Sequence, residues 1–342
     1  DIMIMTNIME SRFLCGNEML YEKMRDATSP KKIWSARKYF EAKLIEQQIR
    51  HKKYDDSECK LEPNIKESPG GLRDIQMISW VAKRHFDNMD LSSLINHEFL
   101  TKEEYALLET GRNILWRVRF ALHMTTNRRE DRLLFEFQRP VAESLGFSSE
   151  DNSCIEEFMK IYFKSIREIN RLNEMLLQHF QEEIIYKKRK EKIDPLNTRF
   201  QKRNSYIEVV NKNIFKHYPF ALFEIFLLCQ QDLTIKGVRA KTIRLIRNNL
   251  HLIDTRFRND IRNQNLFLEI IKQPNMVGHN LRMMHRYGVL SAYIPAFAAI
   301  EGQMQFDLFH IFTVDEHILT VIQNLRLFGT DEYKEKFPIC NI

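Results

Sequence analysis

The stretch SCIEEFMKIYFKSIREINRLNEMLLQHF, residues 153–180, decides the fold class of this chain. Its apolar side chains recur every three or four residues, the spacing that places them along one face of an α-helix. The stripe consists of Ile155, Phe158, Met159, Tyr162, Ile166, Ile169, Leu172, Met175, Leu176 and Phe180. Stripes of this kind are typical of bundle cores, so the sequence predicts helices packed around this one.

Composition supports a mainly α fold and narrows the classes of function. Among 342 residues only 10 are glycine and 9 are proline, which favours helices over sheets. The net charge of +6 comes from 52 basic and 46 acidic residues, so most charges are expected on a solvated surface. No apolar run approaches the ~20 residues of a membrane span, and dispersed cysteines predict a reduced, cytoplasmic protein. These cysteines are Cys15, Cys59, Cys154, Cys229 and Cys340.

Further helix boundaries lie on both sides of the central stretch. Thr101 with Glu104, and Thr313 with Glu316, have the spacing of capping boxes, and Gly111 inside the first of these helices predicts close packing. The basic run 187–192 reads as a helix end and linker; no aromatic residue is interleaved, so nucleic acid is not the expected partner. At the front, the weak alternation of DIMIM, residues 1–5, predicts the end of a strand.

The stretch EPNIKESPGGLRD, residues 62–74, predicts an anion-binding turn. Pro69 restricts its own φ, and Gly70 and Gly71 permit a positive φ or a close backbone approach. A helical pattern follows, so the first N–H groups of that helix are expected to face the turn and attract phosphate or carboxylate. Lys66 and Arg73 add positive charge on either side. The alternative is a plain turn with a helix cap.

Five blocks in order give the chain its resemblance to a known family. They are EPNIKESPGGLRDIQ, WVAKRHF, LWRVRFALH, REDRLLFEFQRPVAESLGF and FDLFHIFTVDEH, spread from about residue 62 to 317. In content, order and spacing they resemble the bacterial PII uridylyltransferase/uridylyl-removing enzymes. The resemblance implies that this chain is an internal fragment of such an enzyme.

The resemblance also implies a division into four parts. Residues 1–75 would be the C-terminal remnant of a nucleotidyltransferase α/β domain, and 76–190 a helical bundle associated with it. Residues 191–305 would form a helical linker region, and 306–342 the first helices of an HD-type phosphohydrolase domain.

Uridylyl transfer of the expected type needs residues that this sequence lacks. A Gly-Ser turn would hold the triphosphate and a D-x-D pair would bind Mg²⁺, and neither occurs here. Asp1 is a candidate third metal carboxylate. By resemblance, Lys66, Gly70, Gly71, Arg73 and Asp74 border the nucleotide; Asp74 has the alternative role of capping its helix.

The block FDLFHIFTVDEH, residues 306–317, resembles the opening of an HD domain. His317 stands where the first metal-ligand histidine is expected; the alternative is a surface or cap residue. His310 is a secondary candidate, with a structural role as its alternative. A neutral imidazole can bind a divalent cation that activates water. The remaining ligands should include a His-Asp doublet, which this sequence does not contain.

The implied function is attachment of uridylyl groups from UTP to the PII signalling protein, with release of diphosphate, and their hydrolytic removal. Mg²⁺ or Mn²⁺ would serve both reactions. Glutamine would control nitrogen assimilation through domains absent here, and the fragment alone is expected to be inactive. The helical middle is expected to connect the two sites and contribute to docking PII. The alternatives are a protein like glutamine synthetase adenylyltransferase, and a non-catalytic basic helical scaffold or nucleic-acid binder.

Overall fold

The structure, a computed structural model, describes residues 1–54, 56–86, 90–186, 192–306, 310–330, 333 and 335–341. It separates into two compact units, one made of Asp1–Ile155 with Tyr162–Arg189 and the other of Glu156–Ile161 with Lys190–Ile342. Most described residues lie in helices, which confirms the prediction of a mainly α fold. Residues 187–191 of the predicted linker and 307–309 of the predicted HD opening lie outside the described residues.

The described part of the first unit is built of helices joined by loops. In chain order its helices are α1 (Ile2–Met9), α2 (Glu18–Ala27), α3 (Ala36–Lys52), α4 (Leu72–Phe86), α5 (Ser93–Asn96), α6 (Lys102–Thr126), α7 (Phe135–Ser144) and α8 (Ser153–Gln181). A short π-helical segment, Glu182–Tyr186, continues α8. Residues 156–161 of α8 cluster with the second unit.

Helix α8 confirms the prediction made from its apolar stripe. Every member of that stripe is buried, from Ile155 to Phe180. The predicted close packing at Gly111 is also confirmed, because a Cβ atom there would lie 2.8 Å from Ile169 Cδ1. The glycine therefore lets α6 approach α8 more closely than alanine would.

Of two local structures predicted in the first unit, a capping box at Thr101 and a strand at residues 1–5, the first is confirmed and the second is wrong. Helix α6 begins with the predicted capping box, in which the Thr101 amide donates to Glu104 Oε2 at 2.9 Å and the Glu104 amide to Thr101 Oγ1 at 3.2 Å. The strand predicted for residues 1–5 is wrong, since α1 begins at Ile2. Asp1 is its N-cap and accepts a 2.6 Å hydrogen bond from the Met3 amide. Five alternating residues are too few to distinguish a strand from one turn of helix.

The second unit contains a small sheet within the region predicted as a helical linker. Its strands, in spatial and chain order, are β1 (Ile193–Pro195), β2 (Phe200–Arg203), β3 (Tyr206–Val209) and β4 (Gly237–Val238). β1, β2 and β3 pair antiparallel, and β3 pairs parallel with β4. Asn204 and Ser205 join β2 to β3 with φ values of 50° and 71°. Positive φ at both positions belongs to a tight hairpin turn, for which Asn-Gly is the usual signal.

Helices build the rest of the second unit. They are α9 (Ile214–His217), α10 (Ala221–Gln231), α11 (Ala240–Asn248), α12 (Thr255–Asn259), α13 (Ile261–Lys272), α14 (Val277–Arg286), α15 (Val289–Tyr293), α16 (Pro295–Ala299) and α17 (Val314–Phe328). Helix α10 lies in the core of this unit, where Phe223 and Phe226 are fully buried. α14 packs on both α10 and α17, so the core extends to the start of α17.

Candidate functional site

The bend at Pro69-Gly70-Gly71 is packed tightly beneath α8. Gly70 has a φ of +75°, and a Cβ atom on it would lie 2.5 Å from the carbonyl oxygen of Ile166. A Cβ atom on Gly71 would lie 2.8 Å from the carbonyl oxygen of Lys66. Both glycines are therefore needed for close backbone approach, as the sequence predicts.

The amides of this bend already have partners inside the protein. Their hydrogen bonds are Gly70 N to Asp74 Oδ2 at 2.8 Å, Gly71 N to Ser68 O at 2.9 Å, Leu72 N to Ile65 O at 3.1 Å, Arg73 N to Lys66 O at 2.8 Å and Asp74 N to Gly71 O at 3.0 Å. An N–H that donates to a protein oxygen is not available to an anion. The prediction that free amides at the start of α4 attract phosphate is therefore wrong, and any phosphate contact here has to come from side chains.

Asp74 lies at the centre of a buried polar cluster that joins the bend to α3. Its carboxylate is fully buried and accepts from Gln47 Nε2 at 2.9 Å, from Arg50 Nη2 at 2.8 Å and from His51 Nε2 at 3.0 Å, besides the Gly70 amide. Burial alone would raise the pKa of Asp74. The hydrogen bond from His51 and the charge of Arg50 outweigh burial and hold that pKa below its usual value. Asp74 thus anchors the bend rather than facing solvent.

Lys66 and Arg73 come together around one carboxylate. Glu67 Oε1 lies 3.5 Å from Lys66 Nζ and 3.2 Å from Arg73 Nη2. Arg73 also donates to Gln76 Oε1 at 3.1 Å. Each of the two cationic side chains keeps a minor exposed fraction, 15% for Lys66 and 21% for Arg73. The structure therefore places both predicted phosphate-side cations on one partly open edge of the bend, oriented by Glu67.

Helix α3 supplies polar residues that no sequence motif indicated. Lys43, Gln47 and Arg50 share its buried face, whose spacing resembles an apolar stripe but carries polar side chains. Lys43 Nζ lies 4.5 Å from the centre of the Trp80 ring, and the Arg73 guanidinium lies 5.4 Å from the same ring. Burial lowers the pKa of Lys43. A run of polar residues at helical spacing, opposite exposed apolar ones such as Ile45 and Ile49, was the available signal.

The two candidate metal-ligand histidines also come together. The rings of His310 and His317 meet edge to face, with their centres 5.9 Å apart. His317 is exposed in the first turn of α17, where its amide donates to the Thr313 carbonyl at 2.8 Å. The predicted capping box is wrong, because Thr313 makes no side-chain cap bond and Glu316 instead pairs with Arg282.

Two nearby imidazoles suit a divalent cation but complete no site by themselves. Imidazole nitrogens are common ligands of transition metals, and neighbouring rings can share one ion. Within the described part of the chain, no group of three His, Cys, Asp or Glu side chains has the geometry to hold a metal. Asp1, the other metal candidate, is an exposed helix cap.

Two sequence models of one family match most of the chain. The model of the GlnD PII-uridylyltransferase matches residues 38–177, and that of the uridylyltransferase GlnD third domain matches residues 200–293. This chain belongs to the GlnD family. The resemblance carried by the five sequence blocks is thereby confirmed.

Curated GlnD relatives match the chain along its whole length. The bifunctional uridylyltransferase/uridylyl-removing enzymes of Nitrosococcus oceani, Pseudomonas aeruginosa and Pseudomonas fluorescens are each 48% identical to it over 342 residues. The chain spans 38% of the length of each. No solved structure matches it. None of the helices formed by the described residues has the length and apolar character needed to cross a bilayer.

The GlnD matches cover the two candidate sites unequally. The first match contains the bend, the Asp74 cluster and most of α8. The second begins at β2 and ends in α15, so His310 and His317 lie beyond both. The case for His310 and His317 as metal ligands therefore rests on the whole-length identity to the relatives and on the geometry of the two rings.

Proposed function

We propose that this chain is the middle part of a bifunctional enzyme that transfers uridylyl groups from UTP to the PII signalling protein and hydrolyses uridylyl-PII. The observation that carries the proposal is its 48% identity, over all 342 residues, to proteins with that pair of activities in their name. The chain spans 38% of their length. The chemistry then also requires residues that this sequence does not contain, among them a D-x-D pair and a His-Asp doublet.

The proposed division is the one that the family resemblance implies. Residues 1–75 end a nucleotidyltransferase domain, 76–190 form its associated bundle, 191–305 form a linker region and 306–342 begin an HD domain. The sheet β1–β4 lies inside the third part, which is therefore a linker of mixed structure.

For the transfer reaction, we assign the partly open edge of the bend to the triphosphate side of UTP. Mg²⁺ or Mn²⁺, when bound, would neutralise the negative charge that develops on the phosphate oxygens. Lys66 and Arg73 add positive side chains to that edge, and Glu67 holds them in place. Gly70 and Asp74 would not contact UTP; they fix the bend against α8 and α3.

For the removal reaction, we assign His317 and His310 to the divalent metal. Such an ion would lower the pKa of a bound water and so supply the nucleophile for phosphodiester hydrolysis. The exposed imidazole of His317, with the His310 ring beside it, is suited to bind it. Control by glutamine, through domains outside this chain, and a cytoplasmic role in nitrogen regulation complete the proposal.

The alternatives gain less support. Both family models that match are GlnD models, which favours uridylylation over adenylylation of glutamine synthetase. A basic scaffold that binds nucleic acid would show salt-dependent RNA or DNA binding and no response to UTP.

The transfer assignment is tested by removing the two cations in the full-length enzyme. Lys66→Ala and Arg73→Ala should each weaken use of UTP while the fold is retained. Lys38→Ala removes the same charge from an exposed position on α3 and serves as the control. Steady-state uridylylation of PII gives the comparison. Kinetics equal to those of wild type in both cluster variants would refute the phosphate-side role.

The removal assignment is tested separately. His317→Ala in the full-length enzyme should abolish release of UMP from uridylyl-PII and leave attachment intact. His217→Ala, at an exposed histidine in α9, is the control. If His317→Ala retains both activities, the metal role of His317 is wrong.

A further inference from the structure

A buried carboxylate lies two residues before His317. Asp315, in the first turn of α17, is fully buried. Its Oδ2 atom lies 3.0 Å from Nε2 of His285 in α14 and accepts a hydrogen bond from the Gly302 amide at 3.1 Å. An ionised carboxylate only accepts hydrogen bonds, so His285 donates through Nε2–H. Asp315 thus ties the start of α17 to α14 and to the loop that follows α16.

The imidazole of His285 is itself fixed on its other sides. Its Nδ1 atom lies 3.5 Å from Glu301 Oε1, and that same oxygen accepts a hydrogen bond from Ser291 Oγ at 3.1 Å. The Phe297 ring meets the imidazole edge to face, with the ring centres 5.0 Å apart. Short side chains held on several sides define the position of α17 more narrowly than long flexible ones.

A second connection between the same helices is more exposed. Arg282 of α14 donates to Glu316 Oε1 at 2.8 Å and to Thr320 Oγ1 at 3.1 Å. Arg282 keeps an exposed fraction of 28%, whereas Asp315 keeps none. Water competes for the Arg282–Glu316 pair, and such pairs contribute little on their own.

A buried carboxylate that pairs with an imidazole is a costly way to join two helices. An apolar pair of similar volume often stabilises a fold as well or better, so burial of charge at this place is weak evidence for a purely stabilising role. Asp315 lies two residues before His317, whose ring meets that of His310. A ligand misplaced by about 1 Å loses much of its effect, so a rigid helix start matters most where a side chain has to meet an ion.

We propose that His285 and Asp315 are positioning residues that hold the start of α17 so that His317 presents its imidazole, beside His310, to a divalent metal ion. This inference rests on the metal role proposed above for His317. It concerns binding geometry; neither residue is assigned as a ligand.

The test uses the full-length enzyme and a double variant that removes the pair without leaving a buried charge. In His285→Phe/Asp315→Leu, the phenyl ring keeps the contact with Phe297 and the leucine replaces the carboxylate by an apolar group. We expect thermal stability and PII uridylylation near those of wild type. We expect Mn²⁺ affinity at the site that depends on His317, and the rate of uridylyl removal, to fall by about tenfold or more.

Mn²⁺ binding followed by electron paramagnetic resonance supplies a readout independent of activity. The difference between wild type and His317→Ala defines the site. His285→Gln, which keeps an N–H donor toward Asp315, should retain most of the wild-type affinity. Arg282→Ala, which removes the donors of the exposed connection, should leave the affinity within about twofold of wild type.

The possible failures can be told apart. If the folded double variant binds Mn²⁺ at that site as tightly as wild type, the pair only stabilises the fold and the positioning role is refuted. Should wild type and His317→Ala bind the same number of Mn²⁺ ions with equal affinity, the metal role of His317 fails, and the inference fails with it.

Discussion

Replacing Asp74 by alanine should destabilise the first unit by about 3 kcal/mol. The change leaves Arg50, with 7% of its side chain exposed, without the carboxylate that lies 2.8 Å away. Removing one partner of a buried ion pair costs about 3–5 kcal/mol. Glu46, whose Oε1 lies 3.2 Å from Arg50 Nε, remains as a weaker partner and brings the loss toward the lower limit. Gln47 and the Gly70 amide lose their acceptor as well, a loss that is not independent of the first.

Tryptophan fluorescence during urea unfolding measures this loss in the right part of the molecule. Trp34, Trp80 and Trp116 are the tryptophans of the chain, and all lie in the first unit. With a slope of about 1–3 kcal/mol per molar urea, a loss of about 3 kcal/mol moves the midpoint by about 1–3 M. That is a large part of the stability of a typical domain, about 5–15 kcal/mol.

Asp26→Ala is the matched control. Asp26 pairs with Lys32 on the surface, so its removal should cost less than about 1 kcal/mol. A free energy of unfolding for Asp74→Ala that lies within about 1 kcal/mol of wild type would show that the buried cluster does not hold the bend in place.

Two further predictions concern the same bend. Gly70→Ala should lower the free energy of unfolding by about 2 kcal/mol or more, because the backbone there has a φ of +75° and the new Cβ atom would meet Ile166 O. Gly146→Ala is the control: with a φ of +96° and open space around it, it should cost only the backbone strain of about 1–2 kcal/mol. Equal losses in urea unfolding would contradict the packing account. The folded-state pKa of Asp74 is lowered, so its contribution to stability is present above the unfolded pKa of about 3.9 and is lost as pH falls through the folded pKa. Stability below about pH 4 should therefore decline less steeply in Asp74→Asn than in wild type. Parallel pH profiles of the two proteins would contradict this.

Periodicity predicted the helices well where one apolar face was long. The stripe of α8 runs over most of a 29-residue helix, and no strand pattern competes with it. The alternation of residues 1–5 is too short for such a distinction, and Asp1 became a helix cap. The Asn204-Ser205 turn shows the same limit for strands, because neither residue is the glycine that marks such a turn most clearly.

Local motifs failed where a distant side chain competed for the same atoms. Thr101 and Glu104 form their predicted capping box, whereas the Glu316 carboxylate binds Arg282 of another helix and so does not reach back to the Thr313 amide; the Thr313 side chain makes no cap bond either. Sequence spacing contains no information about a partner 34 residues away. At the bend the acceptors lie within the same stretch, residues 65–74, but the paired glycines alone do not predict the backbone conformation that brings the amides to them.

Both candidate sites lie beside the same arrangement of three groups. At the bend, buried Asp74 near the start of α4 accepts from the Gly70 amide at 2.8 Å and from His51 Nε2 at 3.0 Å. Near the histidines, buried Asp315 at the start of α17 accepts from a glycine amide at 3.1 Å and from a histidine Nε2 at 3.0 Å.

In each case a short carboxylate joins the first turn of a helix to a glycine in the preceding loop and to a neighbouring helix. The nearby residue proposed to meet a ligand remains accessible: Arg73 keeps 21% of its side chain exposed, and His317 is an exposed residue. A helix start that is fixed from within leaves such a side chain free to face outward in a defined direction. Loss of Asp74 or Asp315 should therefore disturb ligand geometry at its own site under conditions where the chain is still folded. Each substitution should affect its own site and leave the other site unchanged.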